Sequence, residues 1–201
     1  MGAEPPVGYR IALPPGWARI PLRWGTDEAI AAIADAVFGD PLVDDQLTAR
    51  RAAAIDEVHK AAVAARDGRG VHLYLPISDI HGLIVPASFV VADVAFGSPD
   101  PLDPALLISR LAADPGAKRV RIDGVPGTRT ESAASADPGR GTPLPSRRID
   151  YVMPFPDDPD RWLAVTFSVL QPVDGAGDLS STWIEMFDAM MTTFRWTHAT
   201  A

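Results

Sequence analysis

Twenty prolines punctuate a chain of 201 residues, and they set the first limit on what it can become. Proline has no backbone N–H and a fixed φ, so it is confined to the first turn of a helix, to a sheet edge or to a turn. The longest apolar stretch, Gly82 to Ala92, is broken by Pro86 and has about half of the ~20 residues a membrane-spanning helix needs. Short elements joined by frequent turns follow. With 16 glycines, the two residue types make up about 18% of the chain, below the ~25–30% of low-complexity segments. Apolar residues at 47% and charged residues at 22% complete an ordinary globular composition. The length fits one domain over residues 1–201 that buries roughly 70% of its unfolded surface.

Between the prolines, periodicity separates helices from strands. Tyr9 to Leu22 reads as extended, with Pro14, Pro15 and Pro21 placing it at an edge or a bend. Thr26 is positioned to cap a helix through Phe38, in which Ile30, Ile33, Val37 and Phe38 share a face and Gly39 ends the run. Asp40-Pro41 couples a capping residue to a first-turn proline. Leu47, Ile55, Val58 and Ala62 then form one stripe of a second helix, stopped by Asp67-Gly68-Arg69-Gly70. Val71 to Leu75 alternates as a strand does, and Ser88 to Phe96 is apolar enough for a covered one. Asp103-Pro104 repeats the cap and opens a short helix ending at Asp114-Pro115-Gly116.

Arg119 to Ile122 reads as a strand with one wet face, followed by a turn over Gly124 to Gly127. Ser132 to Pro145 has Leu144 as its single large apolar residue and is expected to be a mobile loop inside the domain. Arg148 to Phe155 and Trp162 to Val169, joined by a turn at Pro156 to Pro159, read as antiparallel neighbours. A helix from about Ser180 carries Trp183, Phe187, Met190 and Phe194 at steps of four, three and four. This order predicts an α+β fold, an antiparallel sheet flanked by helices.

Absent residue types exclude whole chemistries. With no cysteine, disulfides, thiolate catalysis, iron–sulfur clusters and cysteine-ligated zinc are ruled out. The opening MGAEPPVGYRIALPPGW has neither the basic and apolar regions of a secretory signal nor, with Pro6 at position 6, a myristoylation motif. A cytoplasmic protein without a membrane span is the expectation. A net charge of −8 argues against a nucleic-acid partner held by phosphate neutralisation.

Candidate chemical groups mostly have sufficient structural explanations. Gly97-Ser98-Pro99 lacks the second glycine of a nucleophile elbow. His59, His72, His81 and His198 are scattered, and Asp79-Ile80-His81 offers two metal ligands where a site needs more. Gly68-Arg69-Gly70 precedes a strand and Gly139-Arg140-Gly141 lies in the loop, so neither cradles a phosphate at a helix start. Asp44-Asp45 suits a helix's first turn, and Asp157-Asp158-Pro159-Asp160 suits a turn. No catalytic residue, cofactor or metal is assigned.

Charge is the uneven feature. Lys118 to Arg148 holds seven basic and three acidic residues, +4, against eleven basic and 23 acidic elsewhere, −12. Arg119, Arg121 and Arg129 are the candidate surface, either for an acidic protein partner or as a solvated sheet face.

Several segments carry a family resemblance: Pro14-Pro15-Gly16-Trp17, the Val125-Pro126-Gly127-Thr128-Arg129 turn, the Ile149-Asp150-Tyr151-Val152-Met153-Pro154 strand, and Leu163 to Val169 followed by Trp183 to Trp196. Together they resemble the PsbP-like fold, an α/β/α sandwich. More closely, the chain is similar to small proteins of high-GC actinobacteria, some related to the LpqN lipoprotein family and some found beside type VII secretion genes. The lipobox cysteine of that family is missing here. The resemblance implies an adaptor or ligand-binding role and supplies no catalytic residue. The leading expectation is a non-enzymatic protein-interaction or accessory module, with a type VII secretion association implied by the resemblance. The alternative is a small-molecule-binding or hydrolytic domain with a pocket between the sheet and the paired N-terminal helices.

Overall fold

A computed structural model of the chain describes residues 6–39, 45–79, 82–83, 85–95, 103–136, 144–156, 158–172 and 178–199, in which runs of strands are separated by one helix or two. The fold is α+β, with antiparallel strand pairs and helices laid against them. Two compact units are distinguished, Pro15–Ala92 and Met1–Pro14 with Asp93–Ala201.

In the smaller unit, strands β2 (Trp17–Pro21) and β3 (Gly70–Pro76) pair with each other, and β3 pairs onward with β4 (Ala87–Ala95), of which residues up to Ala92 belong to this unit. Ile20 stands opposite Leu73 and Leu73 opposite Val90, which makes one apolar face. Helices α1 (Thr26–Phe38) and α2 (Asp45–Asp67) close that face with Ile30 and Ala62, and Ile33, Ile55, Val58 and Leu75 pack around them. The other face is aromatic: Tyr74 and Phe89 stack with centroids 4.2 Å apart, and Trp17 lies 5.7 Å from Phe89.

Thr26 is not the cap the sequence suggests. Gly25, in the left-handed region, occupies that position, and the Thr26 hydroxyl donates back to the Pro21 carbonyl at 2.8 Å, tying the helix start to β2. Gly39 ends the helix as expected, its N–H reaching the Asp35 carbonyl at 2.9 Å. Asp40-Pro41 lies outside the described residues. Where α2 hands over to β3, a Cβ on Gly70 would sit 2.6 Å from the Ala65 carbonyl oxygen, so the helix end and the strand approach as only glycine allows.

The larger unit holds β5 (Lys118–Ile122), β6 (Val125–Ala134), β7 (Ser146–Phe155) and β8 (Asp158–Leu170), paired in the order β8-β7-β6-β5. Helix α3 (Pro104–Leu111) precedes them with the Asp103 cap in place, its carboxylate accepting from the Ala105 N–H at 2.9 Å. The turn predicted over Gly124 to Gly127 is tighter. Asp123 and Gly124 alone make it, both at positive φ as the right-handed twist of a two-residue hairpin requires, and Val125 already pairs with Ile122.

The loop expected over 132–145 is shorter too. β6 runs to Ala134, which pairs with Ser146, because β7 supplies the ladder partners that local composition cannot show; residues 137–143 lie outside the described set. Helix α4 (Ser180–Thr192) buries Trp183, Phe187 and Met190 as its stripe predicts, and the Phe187 ring stacks on Phe167 with centroids 4.6 Å apart. The last aromatics are not helical. Phe194 leaves the helix, and β9 (Arg195–His198) pairs antiparallel with β1 (Pro6–Arg10), a long-range pairing that no local periodicity announces.

Candidate functional site

The three arginines grouped by the sequence part company in the structure. Arg129, on β6, is only 8% exposed. Its guanidinium meets the Asp188 carboxylate of α4 in a two-pronged pair, Nε to Oδ1 and Nη2 to Oδ2, both at 2.9 Å. The Tyr151 hydroxyl, across the ladder from Arg129 on β7, donates to the same Oδ1 at 2.7 Å. A third cation–anion contact runs from Arg129 Nη1 to Glu131 Oε2 at 3.3 Å. Glu131 also binds Arg147, whose other nitrogen donates to Ser180 Oγ at 3.2 Å and Ser181 Oγ at 2.8 Å at the start of α4.

Charges in this network hold one another. Burial opposes the Arg129 charge, and the Asp188 carboxylate more than offsets it, so its pKa is raised. Arg147 holds the Glu131 carboxyl below its ordinary value. Burial, then the Asp188 carboxylate, pushes the Tyr151 phenol up and keeps it protonated. A cation bound on two edges and a phenol that does not ionise make a clamp between strands and helix rather than a proton-transfer device. Sequence reading missed Asp188, though a signal exists. It falls four residues after buried Ile184 and three before buried Met191, a lone carboxylate on an apolar helix face that needs a partner.

Arg119 and Arg121 behave as the alternation on β5 suggests and are exposed, as is Lys118. Arg119 reaches Ser109 of α3 at 3.1 Å and Arg121 the Gly124 carbonyl at 2.6 Å. Each contact uses one of five guanidinium N–H groups. Between them and the first turn of α3 lies a groove of about 630 Å³ with Ile108, Val120 and Pro126 in its walls.

A second concavity lies in the smaller unit, where the sequence places its alternative pocket, between strands and the paired helices. It holds about 350 Å³, walled by Ile33, Val37, Ala54, Val58, Leu75 and Val85. Ser78 and Asp79, both exposed, stand at its polar end. Asp79 Oδ1 accepts from the Gly82 N–H at 2.7 Å.

The remaining candidate groups are dispersed. Ser98 and His81 lie outside the described residues. His59 is on α2, 3.7 Å from Asp27, and His198 is on β9. His72 sits on β3, where burial, and after it Arg19 and Arg23, push its pKa down to about 4. Among the described residues no group of three His, Asp or Glu side chains could hold a metal, and no helix is long and apolar enough to cross a membrane.

No family model matches the sequence. No curated protein matches it either. Among solved structures, a crystal structure from Bacteroides thetaiotaomicron is similar at a TM-score of 0.38 and 10% identity, over 62% of this chain. The chain spans 38% of that structure's length.

Proposed function

We propose that the protein is a non-enzymatic interaction module, and that it docks an acidic, extended segment of a partner protein along β5. The observation that supports this reading is the exposed row Lys118, Arg119 and Arg121 on a strand that pairs on one side only among the described residues. Its free backbone groups can add a strand, and its cations select an acidic one. The +4 of the surrounding segment against −12 elsewhere favours the same choice, since the rest of the surface repels such a partner. Arg129 takes no part, because Asp188 already occupies it. A cytoplasmic setting and a link to type VII secretion are further parts of the proposal, supported by the sequence reading and the family resemblance.

A second reading has an observation behind it as well. Lys and Arg on an edge strand also keep that edge from pairing with another copy. A single variant, Lys118→Ser with Arg119→Ser and Arg121→Ser, separates the two. Anisotropy of a labelled peptide of alternating Glu and Val should show binding that weakens several-fold as salt rises and is lost in the variant. Equal binding to wild type and variant would overturn docking. A variant that no longer stays in its original oligomeric state on a sizing column, with peptide affinity unchanged, would establish edge protection instead.

A further inference from the structure

We infer that the cavity between α1, α2 and the end of β3 binds a small aliphatic molecule that carries a hydrogen-bond donor at one end, an alcohol or an amine. The volume of about 350 Å³ is at the small end of ligand sites, ~300–1,000 Å³. At about 30 Å³ for each water-sized group it accommodates on the order of ten non-hydrogen atoms.

The cavity has a cause in the sequence. Helix α2 faces the strands with Ala54 one turn before Val58 and Ala62 one turn after it, so two of three successive positions supply a methyl group where a core helix would supply a branched chain. A further void of about 50 Å³ along the α1–α2 seam shares Ile33, Val37, Ala54 and Val58 with it, so the underfilling follows the helix pair. Protein interiors otherwise pack to crystal density, and unfilled apolar space costs stability that a bound ligand restores. Val37 is 46% exposed, which leaves a way in at the rim.

Chemical selectivity comes from the polar end. The aliphatic wall accepts a hydrocarbon chain, and the residues at the mouth are a hydroxyl, Ser78, and a carboxylate, Asp79. One Asp79 oxygen accepts from the Gly82 N–H, and a carboxylate has more acceptor sites than that single bond uses. A hydroxyl or ammonium satisfies one of them. A fatty-acid carboxylate of the same length meets like charge instead and is disfavoured.

The test uses the full chain and three matched probes: 1-octanol, n-octylamine and octanoate. Octanol and octylamine should raise Tm saturably, by about 3 °C at tenfold excess over Kd, and octanoate should raise it less. In Asp79→Asn the octanoate shift should approach that of octanol. Ala54→Leu, which fills the space from inside, should abolish all three shifts. If that variant does not fold, Val37→Trp at the exposed rim should do so from outside. The assignment is overturned by equal shifts from octanoate and octanol in wild type, by shifts that persist in the filled or blocked variant, or by no shift from any probe.

Discussion

Helix α4 lies on its strands ring against ring, whereas α1 and α2 hold a cavity of about 350 Å³ over theirs. In the larger unit Phe187 and Phe167 are fully buried and stacked, Tyr151 meets Phe187 edge-on at 5.8 Å, and Arg129 and Asp188 pair in two directions beside them. In the smaller unit the contact is made by Ile33, Ile55 and Val58 with alanines between. The difference is one of specification. Large rings and a directional ion pair admit one docking of α4, while small aliphatic groups fill space less completely and leave room that a ligand can use.

The largest effect belongs to the filled interface. Phe187→Ala should cost about 3–5 kcal/mol in chemical denaturation, because a fully buried aromatic leaves a cavity its neighbours cannot collapse into. A loss below about 1 kcal/mol would erase the contrast with the smaller unit.

Next comes the clamp. Arg129→Ala should cost about 2–4 kcal/mol, less than a fully buried pair because the Asp188 side chain is 35% exposed. The double variant Arg119→Ser with Arg121→Ser should change stability by less than about 0.5 kcal/mol, so arginines close in sequence separate by environment alone.

Acid should then distinguish the units. His72 has a pKa of about 4 in the folded protein against 6.5 ordinarily, so between those values the unfolded chain binds a proton that the native one refuses. Stability falls as pH drops through that window and levels off below it. For a half-exposed side chain the loss should be about 1 kcal/mol, and His72→Gln should remove it. Glu131 acts in the same direction but in a lower window, since its carboxyl is held below 4.5, so its contribution persists above that value and is lost only as pH falls further. Amide exchange followed unit by unit should therefore show the 15–92 segment loosening first. Simultaneous loosening would break the comparison.

The last effect is small and has the reverse direction. Ala54→Leu should raise stability by about 0.5–1 kcal/mol, since it fills space in place of overpacking it. A destabilisation of similar size would mean that the α1–α2 seam is already full.

Much of the fold is written in local pattern. The apolar steps of α1 and α4, the Asp103 cap and the Trp162 to Val169 strand are properties of neighbours in the chain, and these elements stand where periodicity puts them. Exposure of Arg119 and Arg121 on β5 also follows from alternation. Other features depend on residues far apart. Ala134 is a strand residue because Ser146 pairs with it, and Trp196 is one because Tyr9 does. Arg129 reads in sequence as one more cation of a basic segment, and only the arrival of Asp188, 59 positions away, turns it into a buried clamp. The cavity has the same origin, because Ala54 is an ordinary helix residue until α1 and β3 surround it. Sequence by itself determined most of the helices and the central strands and where net charge accumulates, since propensity and period act within a few residues. Which charges are neutralised and where space is left over were decided by tertiary structure alone, because pairing and packing energies depend on distances that the chain reaches only when folded.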